Sequence, residues 1–278
     1  MLHYSHNPMS SIFVAKADGT TELYDPQKLV GSLRRAGAAE EVAHTIAKDV
    51  EKDLWSGIST QEIYSRAFAL LREHRHAVAA RYSLKRAVLD FGPSGFPFET
   101  FIAELYRSEG YDVKVDQIIK GKCVEHEVDV VMTKGNETIY AEAKFHNAAG
   151  FKTDLKVVLY VKARVDDIGK GGGLVVTNTK FTSKAIQYAE CAGLQLLSWD
   201  YPQHQTLHAR IEKANLYPVT ALTSLTNHEK TALLRDRIVL CSELMDNADA
   251  LKNAGITGPR ADIVLEEVGA LCAPKSAL

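Results

Sequence analysis

The sequence predicts an α/β protein in three segments: a small β-hairpin with helices, a mixed sheet flanked by helices, and a small C-terminal helical domain. Three observations carry this. Strand-like and helix-like apolar periods alternate from Phe98 to Trp199, the pattern of an α/β layer. An Asp18-Gly19 dipeptide joins two short apolar runs near the N-terminus, a strong hairpin signal. Gly92-Pro-Ser-Gly-Phe-Pro97 and Asp200-Tyr-Pro202 interrupt all periodicity, so domain boundaries are expected at 1–95, 96–205 and 206–278.

In the first segment, Ile12-Phe13-Val14 and Glu22-Leu23-Tyr24 read as the paired strands. Asp25-Pro26 supplies an N-cap with proline at the first helical position, followed by the apolar stripe Leu29, Leu33, Ala36. A second helix runs through Val42, Ile46 and Val50, and Ser59-Thr60-Gln61-Glu62 forms a capping box before a third. A last helix is expected from about Val78 to Leu89. The middle segment opens with a helix burying Phe98, Phe101, Ile102 and Leu105 and closed by Gly110. Strands follow at Tyr111–Val115, Glu127–Met132 and Thr138–Phe145. Then come a helix over Asp154–Val165, strand Leu174–Val176, helix Ser183–Ala192 and strand Gln195–Trp199. Gly169-Lys-Gly-Gly-Gly173 lacks the Gly-Lys-Ser/Thr of a phosphate loop and reads as a flexible connection. Short helices fill the remainder.

Composition narrows the function classes. The 278 residues are 46% hydrophobic and 24% charged, which excludes disordered and fibrous classes. The formal charge of -2 means that a nucleic-acid partner needs a local basic surface. Four scattered cysteines without a C-x-x-C argue against a structural zinc site or a disulfide scaffold and favour a reducing, cytoplasmic location. No apolar run approaches the ~20 residues of a membrane span, so no membrane partner is expected.

The chemistry concentrates around Gly135-Asn136. As a two-residue hairpin loop, this dipeptide places Lys134 opposite Glu137 and therefore Asp129 opposite Glu142, with Cβ atoms roughly 4.5–5.5 Å apart. Glu127 and Lys144 form the next pair on that face. Val128, Val130, Met132, Ile139, Ala141, Ala143 and Phe145 occupy the other face, which is the core face by period-two alternation. Two opposed carboxylates repel, and a hard cation such as Mg²⁺ between them removes that cost. Lys144 then stands where an ammonium can orient water or stabilise charge on a phosphate. One Glu-x-Lys is expected by composition alone in a chain this long, and a turn at Lys134-Gly135 faces Asp129 with Tyr140 instead. The register therefore decides the matter.

Asp129, then Glu142-Ala-Lys144 after a turn, resembles the PD-(D/E)XK nuclease motif, with Val128 where proline is usual. Phe98-Glu99, Leu105, Gly110-Tyr111 and the stretch from Gly173 to Ala185 are similar to the Mrr-like restriction endonuclease branch, over residues 96–205. The resemblance implies a PD-(D/E)XK fold in which Asp129 and Glu142 bind Mg²⁺ and Lys144 is catalytic. Glu99 is the implied helix carboxylate, with Glu104 one turn away as the alternative. His126 and His146 flank the site, each a phosphate contact or a solvated surface residue. Lys152, Lys156, Lys162 and Arg164 line a phosphate groove or an ordinary solvated helix face.

Val14-Ala-Lys-Ala-Asp-Gly19, Glu22, Asp25, Lys28-Leu29 and Ser59-Thr60-Gln-Glu-Ile63 resemble an ATP-cone, a regulatory domain that binds ATP or dATP. The resemblance implies Lys16 and Lys28 on the triphosphate, Glu22 on the ribose, and Thr60 at an anion-favouring helix start. This chain has Lys16-Ala17 where the family usually carries two basic residues. Leu225, Leu234, Ile238, Leu251, Gly255 and Ile256 faintly resemble tandem helix-hairpin-helix modules. The expected function is a Mg²⁺-dependent endonuclease set by ATP or dATP, acting on nucleic acid with DNA favoured, in restriction or defence, and working as a homo-oligomer. The alternative is a non-cleaving, nucleotide-responsive nucleic-acid-binding regulator with a nuclease-like fold.

Overall fold

A computed structural model describes residues 12–16 and 19–273; Ala17 and Asp18 of the expected hairpin turn lie outside the described residues. The chain divides into two compact units, Met1–Tyr82 and Ser83–Leu278.

The first unit contains β1 (Phe13–Ala15), β2 (Thr21–Leu23), α1 (Pro26–Arg35), α2 (Glu40–Glu51), β3 (Ile58–Ser59), α3 (Thr60–His74) and α4 (His76–Tyr82). β1 and β2 pair antiparallel with Val14 opposite Glu22, and β3 joins β1 in parallel with Val14 opposite Ile58. β3 escaped sequence reading because two residues carry no period. The Asp25 carboxylate accepts the Gln27 N–H at 2.9 Å, and the Ser59–Glu62 capping box is complete. Leu33, Ala43, Ile46, Val50, Ile58, Ala67 and Leu71 form the core, none more than 1% exposed. The expected helix from Val78 to Leu89 is two helices. Ser83 leaves helical ψ between α4 and α5 (Leu84–Leu89), and α5 lies in the second unit. Serine is a weak helix-interior residue because its hydroxyl competes for backbone groups.

The second unit continues with α6 (Phe96–Ser108), β4 (Asp112–Lys120), β5 (Glu125–Lys134), β6 (Glu137–Lys144), β7 (Lys152–Thr153) and α7 (Leu155–Ile168). There follow β8 (Gly172–Thr177), β9 (Lys180–Phe181), α8 (Ser183–Ala192), β10 (Gln195–Leu197), α9 (Leu207–Ala214), α10 (Asn227–Arg235), α11 (Ala248–Asn253) and α12 (Pro259–Cys272). The main sheet has the order β10-β8-β6-β5-β4. β4, β5 and β6 are antiparallel neighbours, whereas β6, β8 and β10 run parallel, with α7 and α8 as the crossovers. Val128, Val130, Met132, Ile139 and Ala141 share the core face with Phe98, Phe101, Ile102 and Leu105 of α6, none more than 2% exposed. On the opposite face Val175 joins Val158, Val161, Ala185 and Ala189 beneath α7 and α8.

The glycine run after α7 is a packed segment rather than the expected flexible connection. Gly169 caps α7 with φ 76°, and Gly172 and Gly173 already belong to β8. At Gly171 φ is +81°, and a Cβ there would lie 2.8 Å from the Thr138 carbonyl oxygen and 2.8 Å from the Tyr140 ring. At Gly173 a Cβ would lie 2.4 Å from Leu194 and 2.9 Å from Val165. Gly171→Ala is therefore expected to cost about 1–3 kcal/mol through backbone strain and overpacking. Urea unfolding monitored by far-UV circular dichroism measures this, and an unchanged midpoint would contradict the packing described.

Candidate active site

The β5–β6 register runs from Lys134 opposite Glu137 to Val130 opposite Ala141, as the turn at Gly135-Asn136 requires. Gly135 takes φ 59° at the first turn position, where glycine carries no Cβ penalty. Past Val130 the strands no longer pair through their backbones. There the Asp129 carboxylate takes over as acceptor, receiving the Ala143 N–H at 2.7 Å. This bond anchors Asp129 beside Glu142 and leaves Glu127 and Lys144 beyond the paired stretch.

Glu142 and Lys144 pair with Val175 and Thr177 of β8, which places Glu142 on the face that α7 covers. From α7, Arg164 donates to Glu142 Oε2 at 2.8 Å, and the Tyr160 hydroxyl donates to Oε1. Both members of the Arg164–Glu142 pair are largely buried, at 17% and 12% side-chain exposure, so the pair is far stronger than a surface one. Arg164 is thus spoken for, as is Lys162, which pairs with Asp166. Lys152 and Lys156 remain exposed.

Lys144 is half-buried and makes no ion pair with any described residue. Glu99, in the first turn of α6, lies in the field of Asp129, Asp116, Glu142 and Glu127. Glu104 instead pairs with Arg107 on its own helix. Burial first, then those neighbouring charges, push the Glu99 carboxyl up to about 7. Burial and then the charge on Glu142 push Asp129 up to about 6, against the lowering effect of the Ala143 N–H. Burial, followed by the bond to Glu142, raises the Tyr160 hydroxyl.

Asp116 is a member of this group that sequence reading missed. The β4–β5 register, with Val115 opposite Val130 and Gln117 opposite Val128, places Asp116 facing Asp129. Its φ of 52° is uncommon for a non-glycine residue, though Asp tolerates it better than most. The strand had been expected to stop at Val115, but the alternation Val113, Val115, Gln117, Ile119 carries it on to Lys120. Tyr160 was also missed, because its role requires knowing which sheet face α7 covers.

The two histidines are structural partners rather than solvated surface residues. His126 Nε2 lies 2.8 Å from Asp167, whose carboxylate also accepts the Cys123 and Val124 N–H groups. The Cys123 side chain first, then His126 and the two N–H groups, hold the Asp167 carboxyl below its ordinary range. His146 Nε2 lies 3.1 Å from the Thr153 hydroxyl, and its backbone is clasped by the Asn178 carboxamide. Burial and the charge of Lys144 lower the His146 imidazole.

Among the described residues, no three His, Cys, Asp or Glu side chains converge as a ready-made metal cage. The donor chemistry nevertheless suits a hard cation. Asp129 and Glu99 are held above the usual carboxylate range by burial and mutual repulsion, a cost that a dication relieves. Glu142 beside them is engaged at both oxygens, by Tyr160 and Arg164.

The first unit brings its four predicted residues together as well. Lys16 and Lys28 both contact Glu22 Oε2, at 2.7 and 3.1 Å. Glu22, Lys28 and Thr60 line one cavity of about 180 Å³ with Leu29, Tyr64 and Tyr82. The Tyr64 and Tyr82 rings stack at 5.1 Å in that wall.

Comparison with known proteins follows these two sites. Residues 12–90 match the ATP cone domain, 93–201 the restriction endonuclease family Mrr_cat, and 217–272 the AF1548-like C-terminal family. A curated Archaeoglobus fulgidus protein, described as uncharacterized, is 34% identical over 170 residues, 60% of this chain and 97% of its own length. The chain belongs to the AF1548-like family and fuses an ATP-cone to an Mrr-type restriction endonuclease domain. The crystal structure of AF1548, a protein of unknown function, is similar with a TM-score of 0.55 and 31% identity, covering 64% of this chain and 98% of that one. The MspJI restriction endonuclease in complex with a 27-mer oligonucleotide matches with a TM-score of 0.32 and 13% identity, covering 82% of this chain and 48% of that one. The Asp129–Glu142–Lys144 group lies in the Mrr-type domain and the Lys16–Glu22–Lys28 group in the ATP-cone. No helix among the described residues is long and apolar enough to cross a membrane.

The raised carboxyls set a pH dependence. In the folded chain Glu99 and Asp129 bind protons up to about 7 and 6, whereas unfolded carboxylates release them near pH 4. Their contribution favours the folded state at low pH and is lost as pH rises through about 4 to 7. Without divalent metal, the wild type is expected to lose more stability between pH 5 and pH 8 than Asp129→Asn or Glu99→Gln. Urea midpoints across that range measure the difference, and parallel curves would contradict the crowding.

Proposed function

We propose that the protein is a Mg²⁺-dependent endonuclease, with DNA favoured over RNA, whose activity is set by ATP or dATP in the N-terminal cone. The observation that supports this reading is a half-buried Lys144 with no ion pair to a described residue, two residues beyond Glu142, beside an Asp129 that accepts the Ala143 N–H and lies in the field of Glu142. Asp129 and Glu142 are the residues that would hold the metal. A divalent cation held by them would supply positive charge next to the reacting phosphate and lower the pKa of a bound water. The Ala143 N–H fixes Asp129 Oδ2, so this carboxylate is oriented before substrate arrives. Lys144 donates to a phosphate oxygen as negative charge develops in the transition state. Glu99, whose carboxyl titrates near neutrality, positions the water and accepts its proton.

In the cone, Lys16 and Lys28 would exchange their shared carboxylate for a triphosphate. Glu22 then becomes available to ribose hydroxyls, Thr60 at the start of α3 adds anion-favouring N–H groups, and the Tyr64–Tyr82 wall receives the base. At about 180 Å³ the cavity is smaller than a usual ligand pocket, so the phosphates lie along its open rim. A cytoplasmic homo-oligomer whose size or cleavage rate answers to nucleotide completes the reading.

The Arg164 and Tyr160 bonds to Glu142 favour one second reading, a non-cleaving nucleic-acid-binding regulator that keeps the nuclease fold. Cleavage assays on supercoiled and linear DNA with and without Mg²⁺ separate the two. Lys144→Ala is expected to lower the cleavage rate at least 100-fold (about 2.7 kcal/mol) while binding DNA as the wild type does. Equal cleavage by wild type and variant would remove Lys144 from the mechanism, and no cleavage by either would leave the regulator. In the cone, Lys28→Met is expected to weaken ATP about tenfold by isothermal titration. Unchanged affinity there, or light scattering indifferent to ATP and dATP, would remove the regulatory assignment.

A further inference from the structure

The second unit holds another polar cavity, of about 390 Å³, that neither the carboxylate group nor the cone accounts for. It opens between α5 and α10, and its rim includes Asn147, three residues beyond Lys144. Three residues of chain span at most about 11 Å, and nucleic acid rises 3.4 Å per nucleotide. Asn147 at its rim therefore lies within about 11 Å of Lys144, roughly three nucleotide rises along a strand.

Its charges are unbalanced. Arg86 pairs with Asp90 at 3.0 Å, so those two lining residues cancel. Lys230, on α10, lines the same cavity and is half-buried, and its ammonium has neither a hydrogen bond nor an ion pair with any described residue. The nearby Glu267 carboxylate is already satisfied by the Thr223 N–H and hydroxyl and the Ser224 N–H, all at 2.8 Å. Burial pulls the Lys230 ammonium below its ordinary range, while Asp90 and Glu267 hold it up. A partly desolvated cation facing a cavity, with carboxylates near it but none in a direct ion pair with it, suits an anion. The Asn147 and Asn227 carboxamides, which make no side-chain bond with a described residue, add N–H donors around the same space.

We propose that this cavity binds a phosphate anion, the backbone phosphate of a nucleic acid held beside the cleavage position, with Lys230 as the charge and Asn147 and Asn227 as donors. The proposal rests on the nuclease reading above. It makes the C-terminal helical segment, through α10, part of the substrate site.

The test compares Lys144→Ala with Lys144→Ala/Lys230→Met for binding of a fluorescein-labelled DNA duplex across a salt series, so that cleavage does not intrude. Methionine keeps the length of the lysine stem, and a second double variant, Lys144→Ala/Lys230→Gln, serves if the first unfolds. The expected result is an affinity about tenfold weaker and a salt slope reduced by about 0.9, the signature of one lost phosphate contact. In parallel, inorganic phosphate is titrated against the thermal unfolding of otherwise wild-type protein and of Lys230→Met. A Lys230-dependent response to phosphate with an unchanged DNA salt slope would overturn the backbone source in favour of a free phosphate ligand. No dependence on Lys230 in either arm would overturn the site altogether. DNA binding absent in Lys144→Ala and in the wild type, with the phosphate response intact, would instead defeat the nuclease reading and the backbone source while leaving an anion site.

Discussion

The alignment of β5 with β6 is the constraint on which the chemistry rests. A two-residue turn sets it, and the apolar underside holds it: Val128, Val130, Met132, Ile139 and Ala141 are at most 2% exposed. Slipping β5 by one residue would carry Asp129 into the hydrophobic interior and bring Val128 and Val130 out. Each such exchange costs several kcal/mol, because it buries a carboxylate and exposes a branched apolar side chain together. Core packing thus positions the acids, and no separate device is needed to place them.

Having been brought together, the acids are only partly compensated. Asp116, Asp129 and Glu142 lie on three adjacent strands, and Glu99 approaches from the start of α6. Arg164 pairs directly with Glu142 and lowers Asp129 from farther away, and the Ala143 N–H answers one oxygen of Asp129. Excess negative charge of this kind destabilises the isolated fold and favours any cation that enters. The same local conflict appears in the backbone, where Asp116 holds a positive φ within a strand. Conflicts between local preference and overall fold gather where function demands them.

Much of this was legible in the sequence. The turn dipeptide and period-two alternation were enough to fix the register from Lys134–Glu137 to Val130–Ala141, and Ser59 through Glu62 marked the start of α3 to the residue. Other features escaped because they depend on tertiary contacts. The strand at Ile58–Ser59 is too short to show a period, and Ser83 divides a helix whose apolar stripe runs unbroken. Arg164 looked like a solvated basic residue, since its partner lies 22 positions earlier and on another layer. His126 and His146 misled for the same reason, each held by groups distant in the chain or across a loop. Gly171 and Gly173 suggested slackness, where they answer to close approach by Thr138, Tyr140, Val165 and Leu194.

In the cone, one carboxylate oxygen serves two ammonium groups. On the proposed function, an arriving nucleotide would enter by substitution, against a resident anion tethered to the same polypeptide. A ligand with a single phosphate meets that rival on nearly equal terms, whereas a triphosphate outbids it several-fold in charge. Discrimination by phosphate number can thus arise from internal competition, with no contact to the terminal phosphate beyond those the two lysines already supply.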